Sequence, residues 1–177
     1  MSNIRLIGLE LIRTANVKAD GAMNTASLET ISAIVPDSAH LVIEPPAITD
    51  LFIEEEDLPD IQILGVSKKT IEFATRDMGG ETFTKAFGGV YTPASGETLA
   101  SWSASTAGAV QIKEFCIEAT SKTYSGKKLK LEIPRASVHA GGDLRFTKTE
   151  SGQISFACDV LIPASSTKIS PMKITQV

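Results

Sequence analysis

Apolar and polar residues alternate with a period of two along much of this chain. Between residues 127 and 134, the apolar residues Leu129, Leu131 and Ile133 alternate with charged ones. Residues 153–163 repeat the pattern, and their apolar positions are Ile154, Phe156, Cys158, Val160 and Ile162. A period of two is typical of a strand with one buried face, so both segments are predicted strands. The run Gly141-Gly142-Asp143 lies between them and predicts a turn.

Further apolar runs predict more strands, and dense turn signals separate them. Short runs with a period of two occur at residues 41–43 and 70–73, whereas residues 4–12 are apolar on both faces and residues 108–120 predict a longer strand. Many short strands between turns indicate a mostly β fold, an antiparallel β-sandwich or barrel. A length of 177 residues suits a single domain spanning 1–177.

One segment predicts a short flanking α-helix. Asp77 is a candidate cap, a helical segment follows from Glu81 to Phe87, and Gly88-Gly89 would end it. Phe83 and Phe87 are four residues apart, so they share a face and are expected to pack onto the sheet. Residues 91–108, rich in Ser, Ala, Thr and Gly, predict a loop or an insertion.

Two segments of opposite charge indicate self-association. Residues 44–60 contain seven acidic residues and no basic one, and their three prolines predict an extended excursion or a sheet edge. Residues 113–148 are net basic. A chain with both surfaces could bind itself head to tail, which produces rings or filaments. The candidate contact residues are Asp50, Phe52, Glu54, Glu55, Glu56, Asp57, Lys128, Lys130 and Arg135.

Residues with catalytic or metal-binding patterns are scarce. His40 and His139 have no partner at metal-ligand spacing, and Cys116 and Cys158 match no metal or redox spacing. The acidic run 54–57 lacks the spaced pattern of a calcium loop, so a solvated or docking surface is favoured over a cation site. Paired carboxylates of a glycosidase meet only in the fold, but such clefts are usually lined with aromatic residues, and this chain has one Trp and two Tyr. We expect no enzyme activity and no cofactor or metal.

Charge and apolar content bear on partners and location. The net charge of −4 argues against a partner held mainly through phosphate neutralisation. No stretch reaches the roughly 18 apolar residues of a membrane span, and the N-terminal residues lack the order of a signal peptide. We therefore expect that the protein is synthesised in the cytoplasm and does not insert into a membrane.

The order of these features resembles the major tail tube proteins of long-tailed bacteriophages. The resemblance covers residues 50–163 as an ordered series: the acidic stretch 51–57, the strand 69–73, Asp77 with the helix ending at Gly88-Gly89, a serine-rich stretch, the segments 114–118 and 129–136, and a last strand, 152–163. The family implies hexameric rings that stack into a tube through loops and terminal arms. It implies no catalytic residue.

The resemblance also implies partners and a location. DNA and a tape-measure protein would occupy the lumen, and tail terminator and baseplate or tip proteins would bind the ends, in a virion tail assembled in the bacterial cytoplasm and used for DNA ejection. Residues 44–60 would be an extended acidic loop and residues 170–177 a C-terminal arm. The alternatives are another β-rich neck or tail component, a secretion-system tube protein, and a carbohydrate-binding β-sandwich that uses Trp102, Tyr91 and Tyr124.

Overall fold

The chain folds mainly into antiparallel strands. A computed structural model describes residues 8–51, 61–96, 98–104, 113–146, 151–164 and 168–177. Its strands are β1 (Leu9–Asn16), β2 (Glu29–Ile31), β3 (His40–Ile43), β4 (Ile48–Leu51), β5 (Ile61–Leu64), β6 (Lys69–Thr75), β7 (Val90–Thr92), β8 (Ser101–Ser103), β9 (Lys113–Ser121), β10 (Leu129–Phe146), β11 (Ser151–Val160) and β12 (Lys173–Gln176). Helix α1 spans Gly80–Phe87, and Thr25–Ser27 form a 3-10 turn. The predicted mostly β fold with one short helix is confirmed for this part of the chain.

The main sheet curls until its two sides meet. Its strand order is β2-β1-β9-β10-β11-β6-β3, and β12 pairs with β10 beside this path. An isolated bridge joins Ile34, just after β2, to Thr75 at the end of β6. On either side of it, Val35 N–H donates to the Ala74 carbonyl at 2.8 Å and Arg76 N–H donates to the Ala33 carbonyl at 3.0 Å. These bonds close the sheet into a barrel-like arrangement around a single interior.

The long strand β10 joins the two halves of the sheet. On one edge its first residues, 129–132, pair with β12 and its later residues, from Ala136 on, pair with β11. On the other edge residues 130–138 pair with β9. The β9–β10 register shifts between Ile133 and Ala136. Pro134 lies at this shift, where its missing N–H interrupts the ladder. Such an irregularity bends a strand and increases its twist, which lets one strand serve both halves.

The core consists of the alternating apolar positions that the sequence predicts. Ile133, Ile154 and Phe156 are buried, and Phe156 stacks on Phe73 with ring centroids 4.9 Å apart. Ile162, which continues the pattern in the sequence, lies beyond the end of β11 and is exposed. Strand periodicity therefore predicts the core until the strand ends.

The predicted turn at Gly141-Gly142-Asp143 is wrong, because all three residues lie inside β10. The glycines serve packing instead. A side chain at Gly142 would lie 2.9 Å from Phe87 Cζ, so the absence of one lets helix α1 approach the strand. A side chain at Gly141 would meet nothing within 4 Å.

Gly142→Ala is expected to destabilise the protein by about 0.5–1 kcal/mol, because the new methyl group displaces the end of the Phe87 ring, which is 39% exposed and can shift. Gly141→Ala is the matched control and should cost less than about 0.5 kcal/mol. In a Phe87→Ala background, Gly142→Ala should cost little, and this coupling can be measured by urea denaturation of the four variants. Equal costs in both backgrounds would contradict the packing explanation.

Helix α1 ends as predicted but begins differently. Gly88 has a φ of 77° and donates its N–H to the Thr84 carbonyl, and Phe83 and Phe87 lie with ring centroids 5.8 Å apart. The N-cap is Gly79 rather than Asp77. Asp77 instead accepts a hydrogen bond from Gly79 N–H at 2.9 Å, so it orders the turn that leads into the helix.

Residues 91–108 and 170–177, predicted as a loop or insertion and as an arm, both contain strand residues. The stretch 91–108 contributes to the β7–β8 hairpin, with Tyr91 opposite Trp102. Residues 170–177, expected as an arm, instead run along their own chain, where β12 pairs with the start of β10 from Leu129↔Gln176 to Glu132↔Lys173. Among the described residues, no helix has the length and apolar content required to cross a bilayer.

Candidate assembly surfaces

The β4–β5 hairpin continues the β3–β6 pair beyond the main sheet. Glu44 N–H donates to the Lys68 carbonyl at 2.9 Å, and Gly65 N–H donates to the Ala47 carbonyl at 2.7 Å. These bonds carry the pairing past Pro45-Pro46, whose nitrogens cannot donate. Strand β4 then pairs with β5. We call residues 44–51 and 61–68 the arm, since they project from the barrel as a two-stranded ribbon.

Aliphatic side chains are exposed on both faces of the arm. The pair Ile48↔Leu64 lies on one face, with exposed fractions of 59% and 67%. Ile63 and Ile61 lie on the other face, each 52% exposed. An isolated two-stranded ribbon is marginally stable in water, and clustered exposed aliphatics mark an interaction surface. The arm therefore has the properties of a segment that another surface covers.

Of the contact candidates in the acidic segment, the structure describes Asp50, which lies on the arm. Asp50 is exposed on β4 opposite Gln62. The remaining acidic-segment candidates, Phe52, Glu54, Glu55, Glu56 and Asp57, lie outside the described residues. The expected extended loop 44–60 thus supplies the first strand of a hairpin, and residues 61–64 supply the second.

The basic candidates are engaged with carboxylates of their own chain. Lys128 Nζ lies 2.6 Å from a Glu10 carboxylate oxygen. Arg135 forms a bidentate pair with Glu114, at 2.8 Å from Nε and 2.7 Å from Nη2. The hydrogen bonds from Arg135 lower the pKa of Glu114, so this pair stays ionised. These cations stabilise neighbouring strands of the barrel and are not free charges.

Lys130 belongs to a cross-strand ion-pair network centred on Glu118. Its Nζ lies 2.7 Å from Glu118 Oε2 and 2.8 Å from Glu132 Oε1. From β1, Arg13 Nε donates to Glu118 Oε1 at 2.9 Å. Glu118 is directly opposite Arg13 on one side and Glu132 on the other. One carboxylate therefore ties three adjacent strands together.

The two cations keep Glu118 ionised although only 1% of its side chain is exposed. Burial alone would raise the pKa of Glu118, but hydrogen bonds from Lys130 and Arg13, with their positive charges, outweigh it and hold the pKa below its usual range. The two acceptors Glu118 and Glu132 raise the pKa of Lys130. The alternation of charges in the sequence did not reveal this network, because its members come from three strands.

Lys122 and Lys127 of the basic region, and Lys173 outside it, have no carboxylate partner among the described residues. Lys122 and Lys127 flank the turn between β9 and β10, and Lys173 begins β12. All three are exposed. The turn signal Ser125-Gly126 predicts the location of the first two, but only the pairing of β12 with β10 brings Lys173 to the same end of the barrel. Three positive charges without a carboxylate partner among the described residues therefore lie at that end.

An apolar pocket opens at the same end of the barrel. Its volume is about 180 Å³, and its wall includes Leu9, Leu41, Ile71, Ala119, Leu131 and Ile174. These residues come from six strands, β1, β3, β6, β9, β10 and β12. Sequence analysis missed the pocket, since residues so far apart in the chain meet only after the sheet closes.

The histidines and cysteines form no arrangement suited to metal binding. His40 Nε2 lies 2.9 Å from Glu72 and His139 Nε2 lies 3.7 Å from Asp159, both at the surface. Among the described residues, no three His, Cys, Asp or Glu side chains are grouped to hold a metal ion. Cys158 is a core residue as predicted, and burial, with the Asp159 charge, raises the pKa of its thiol to about 12.

Trp102, one of the three rings of the carbohydrate-binding alternative, packs against its own chain. Trp102 packs against Phe83 of helix α1 with ring centroids 5.3 Å apart, and its Nε1–H donates to the Gly88 carbonyl at 2.8 Å. Trp102 thus fastens the β7–β8 hairpin to the helix. A carbohydrate-binding platform requires exposed, coplanar rings, so this use of Trp102 disfavours that alternative.

No protein-family model and no curated protein sequence matches this chain.

Proposed function

We propose that this protein is a structural subunit that forms hexameric rings, and that the rings stack into the tail tube of a long-tailed bacteriophage. In this role it binds copies of itself, encloses DNA and a tape-measure protein, and resides in the virion after assembly in the bacterial cytoplasm. The tube is the conduit through which DNA is delivered.

The observation that carries the proposal is the arm with aliphatic residues on both faces. Ile48, Leu64, Ile61 and Ile63 are each more than half exposed, and they lie on a ribbon that projects from the barrel. Burying each such side chain fully contributes about 1.5–3 kcal/mol relative to leaving it exposed. A surface of this kind suits repeated contact with other copies.

The charge of the chain agrees with a conduit for DNA. Its net charge is −4, and three of its basic residues, Lys128, Lys130 and Arg135, are paired internally. A lumen that passes DNA should not grip phosphate, because each neutralised phosphate releases counterions and strengthens binding. These features support a passage rather than a nucleic-acid binding site.

Electron microscopy of the purified protein over a concentration series tests the proposal. We expect long polymers of stacked rings with six subunits per ring. Isolated rings that never stack would instead support a neck, terminator or secretion-type subunit. A protein that remains monomeric at the highest concentration would contradict self-assembly altogether.

A further inference from the structure

The apolar pocket at the barrel end is large enough to hold a branched aliphatic side chain. Its volume is about 180 Å³, and a dry apolar cavity of about 150 Å³ can accept benzene. Leu9, Leu41 and Leu131 on its wall are only partly buried, although they pack against the core. The described residues therefore leave space for an apolar group at this site.

The arm cannot fill the pocket of its own chain in this conformation. The arm begins after Ile43 and ends before Lys69, close to the wall residues Leu41 and Ile71. From there it extends at roughly 3.3 Å per residue, so it carries Ile61, paired with Leu51, up to about 25 Å away. No residue of β4 or β5 is among the described residues lining the pocket. A second copy must supply an arm if one is to bind there.

The charge of segment 44–60, whose first residues belong to the arm, is complementary to that of the pocket rim. The segment 44–60 has seven acidic residues and no basic one. Lys122 directly follows Ser121, and Lys173 directly precedes Ile174, both of which line the pocket. The methylenes of Lys122 also lie over Gly8, another lining residue, since a Cβ there would be 3.5 Å from Lys122 Cδ. An acidic, aliphatic segment fits a basic rim around an apolar pocket.

We propose that the arm face bearing Ile61 and Ile63 inserts into the apolar pocket of a second copy, with Lys122, Lys127 and Lys173 attracting the acidic segment. This inference rests on the proposed function and names the receiving site for its self-contact. Donor and receiver are different surfaces, so the contact is heterologous, and successive contacts close into a ring when their rotations close.

Mixing two defective variants tests this contact. The donor variant, Ile61→Ser with Ile63→Ser, has a defective arm and an intact pocket. The receiver variant, Ala39→Leu, fills the pocket from a partly buried wall position and keeps its arm. Each variant alone should be monomeric by native mass spectrometry. An equimolar mixture should form 1:1 dimers and no polymers, because only one functional contact can form.

The outcomes separate the inference from the proposed function. If wild-type protein assembles but the mixture yields no dimer, the pocket is not the receiver and the proposed function stands. The inference also fails if Ala39→Leu assembles as wild type does. If wild-type protein does not assemble, the proposed function fails. Ala26→Leu is the matched control, since it adds the same group at an exposed position away from the pocket, and it should assemble normally.

The rim lysines provide a second test that does not depend on core packing. Lys122→Glu with Lys127→Glu should raise the concentration needed for assembly at least tenfold at low salt and less at high salt, because screening weakens exposed charges. Lys18→Glu with Arg76→Glu makes the same charge change at exposed positions away from the arm and the pocket, and it should shift the assembly concentration less than threefold. Equal shifts for both pairs would contradict a role for the rim. Circular dichroism of each variant confirms folding.

Discussion

Replacing Ile61 and Ile63 with serine is expected to abolish ring and tube formation while leaving a folded monomer. Both side chains are 52% exposed in the isolated chain, so the two serines also remove about 1.5–3 kcal/mol of burial within the arm. Neither residue belongs to the buried core of the barrel, so the barrel should stay folded. In an assembly the remaining exposed halves would be buried, which contributes roughly 1.5–3 kcal/mol per arm. That loss weakens each contact by about 10- to 100-fold.

The measurement is the critical concentration of assembly by sedimentation, with urea denaturation of the dilute protein to check the fold. Val90→Ser with Leu99→Ser is the matched control, since both residues are exposed aliphatics near the β7–β8 hairpin. This control should assemble within about threefold of wild type. Tubes formed by the Ile61 and Ile63 variant at the wild-type concentration would exclude the arm as an assembly contact.

Glu118→Ala is expected to lower the free energy of unfolding by about 2–4 kcal/mol, because it removes a buried carboxylate that pairs with two cations. Glu118 is only 1% exposed, so its removal leaves Arg13 and Lys130 without the buried carboxylate that pairs with both of them. Both cations are partly exposed and Lys130 retains Glu132, which places the cost toward the lower part of the range for broken buried pairs.

Glu132→Ala is the control for Glu118→Ala, because Glu132 is more exposed and Lys130 keeps Glu118 in its absence. We expect it to cost less than about 1 kcal/mol. Both substitutions should be measured by urea denaturation in the Ile61 and Ile63 serine background, so that assembly does not add to stability. If the two substitutions lowered the free energy of unfolding equally, the burial of Glu118 would not contribute to the stability of the network.

The same network predicts a dependence of stability on pH. Folding holds the pKa of Glu118 below its ordinary value of 4.5, so the unfolded chain binds the proton more tightly. The contribution is therefore fully present above pH 4.5 and is lost as the pH falls through the folded-state pKa. Between about pH 6 and about pH 3, the parent protein should lose more stability than Glu118→Ala does. Parallel curves would contradict this prediction.

The sequence was informative wherever a local rule decides the structure. Alternation over residues 129–133 and 154–160 identified both strands and their buried faces, since a side-chain period of two is a property of one strand. Gly88 was correctly placed at the helix end because it adopts a positive φ there. The same local reasoning failed at Gly142, whose role depends on Phe87 from a distant part of the chain.

For the candidate assembly surfaces too, the sequence predicted the local features and the fold decided the contacts between distant residues. Composition alone identified the acidic, proline-containing segment 44–60 and the basic region 113–148, because charge and proline content are properties of the sequence and do not depend on contacts in the fold. Sequence could not tell that Lys128, Lys130 and Arg135 are neutralised by Glu10, Glu118, Glu132 and Glu114. Those pairings depend on strand register across the sheet.

By itself, the sequence determined a β-rich chain and predicted an extended acidic, proline-containing segment. Only the tertiary structure decided which lysines remain free and that an apolar pocket exists, with Leu9, Leu41, Ile71, Ala119, Leu131 and Ile174 around it. The physical reason is closure of the sheet. Local preference sets which residues form strands and which face is apolar, whereas strand order and register bring distant side chains together, and the charges and the pocket arise from those non-local contacts.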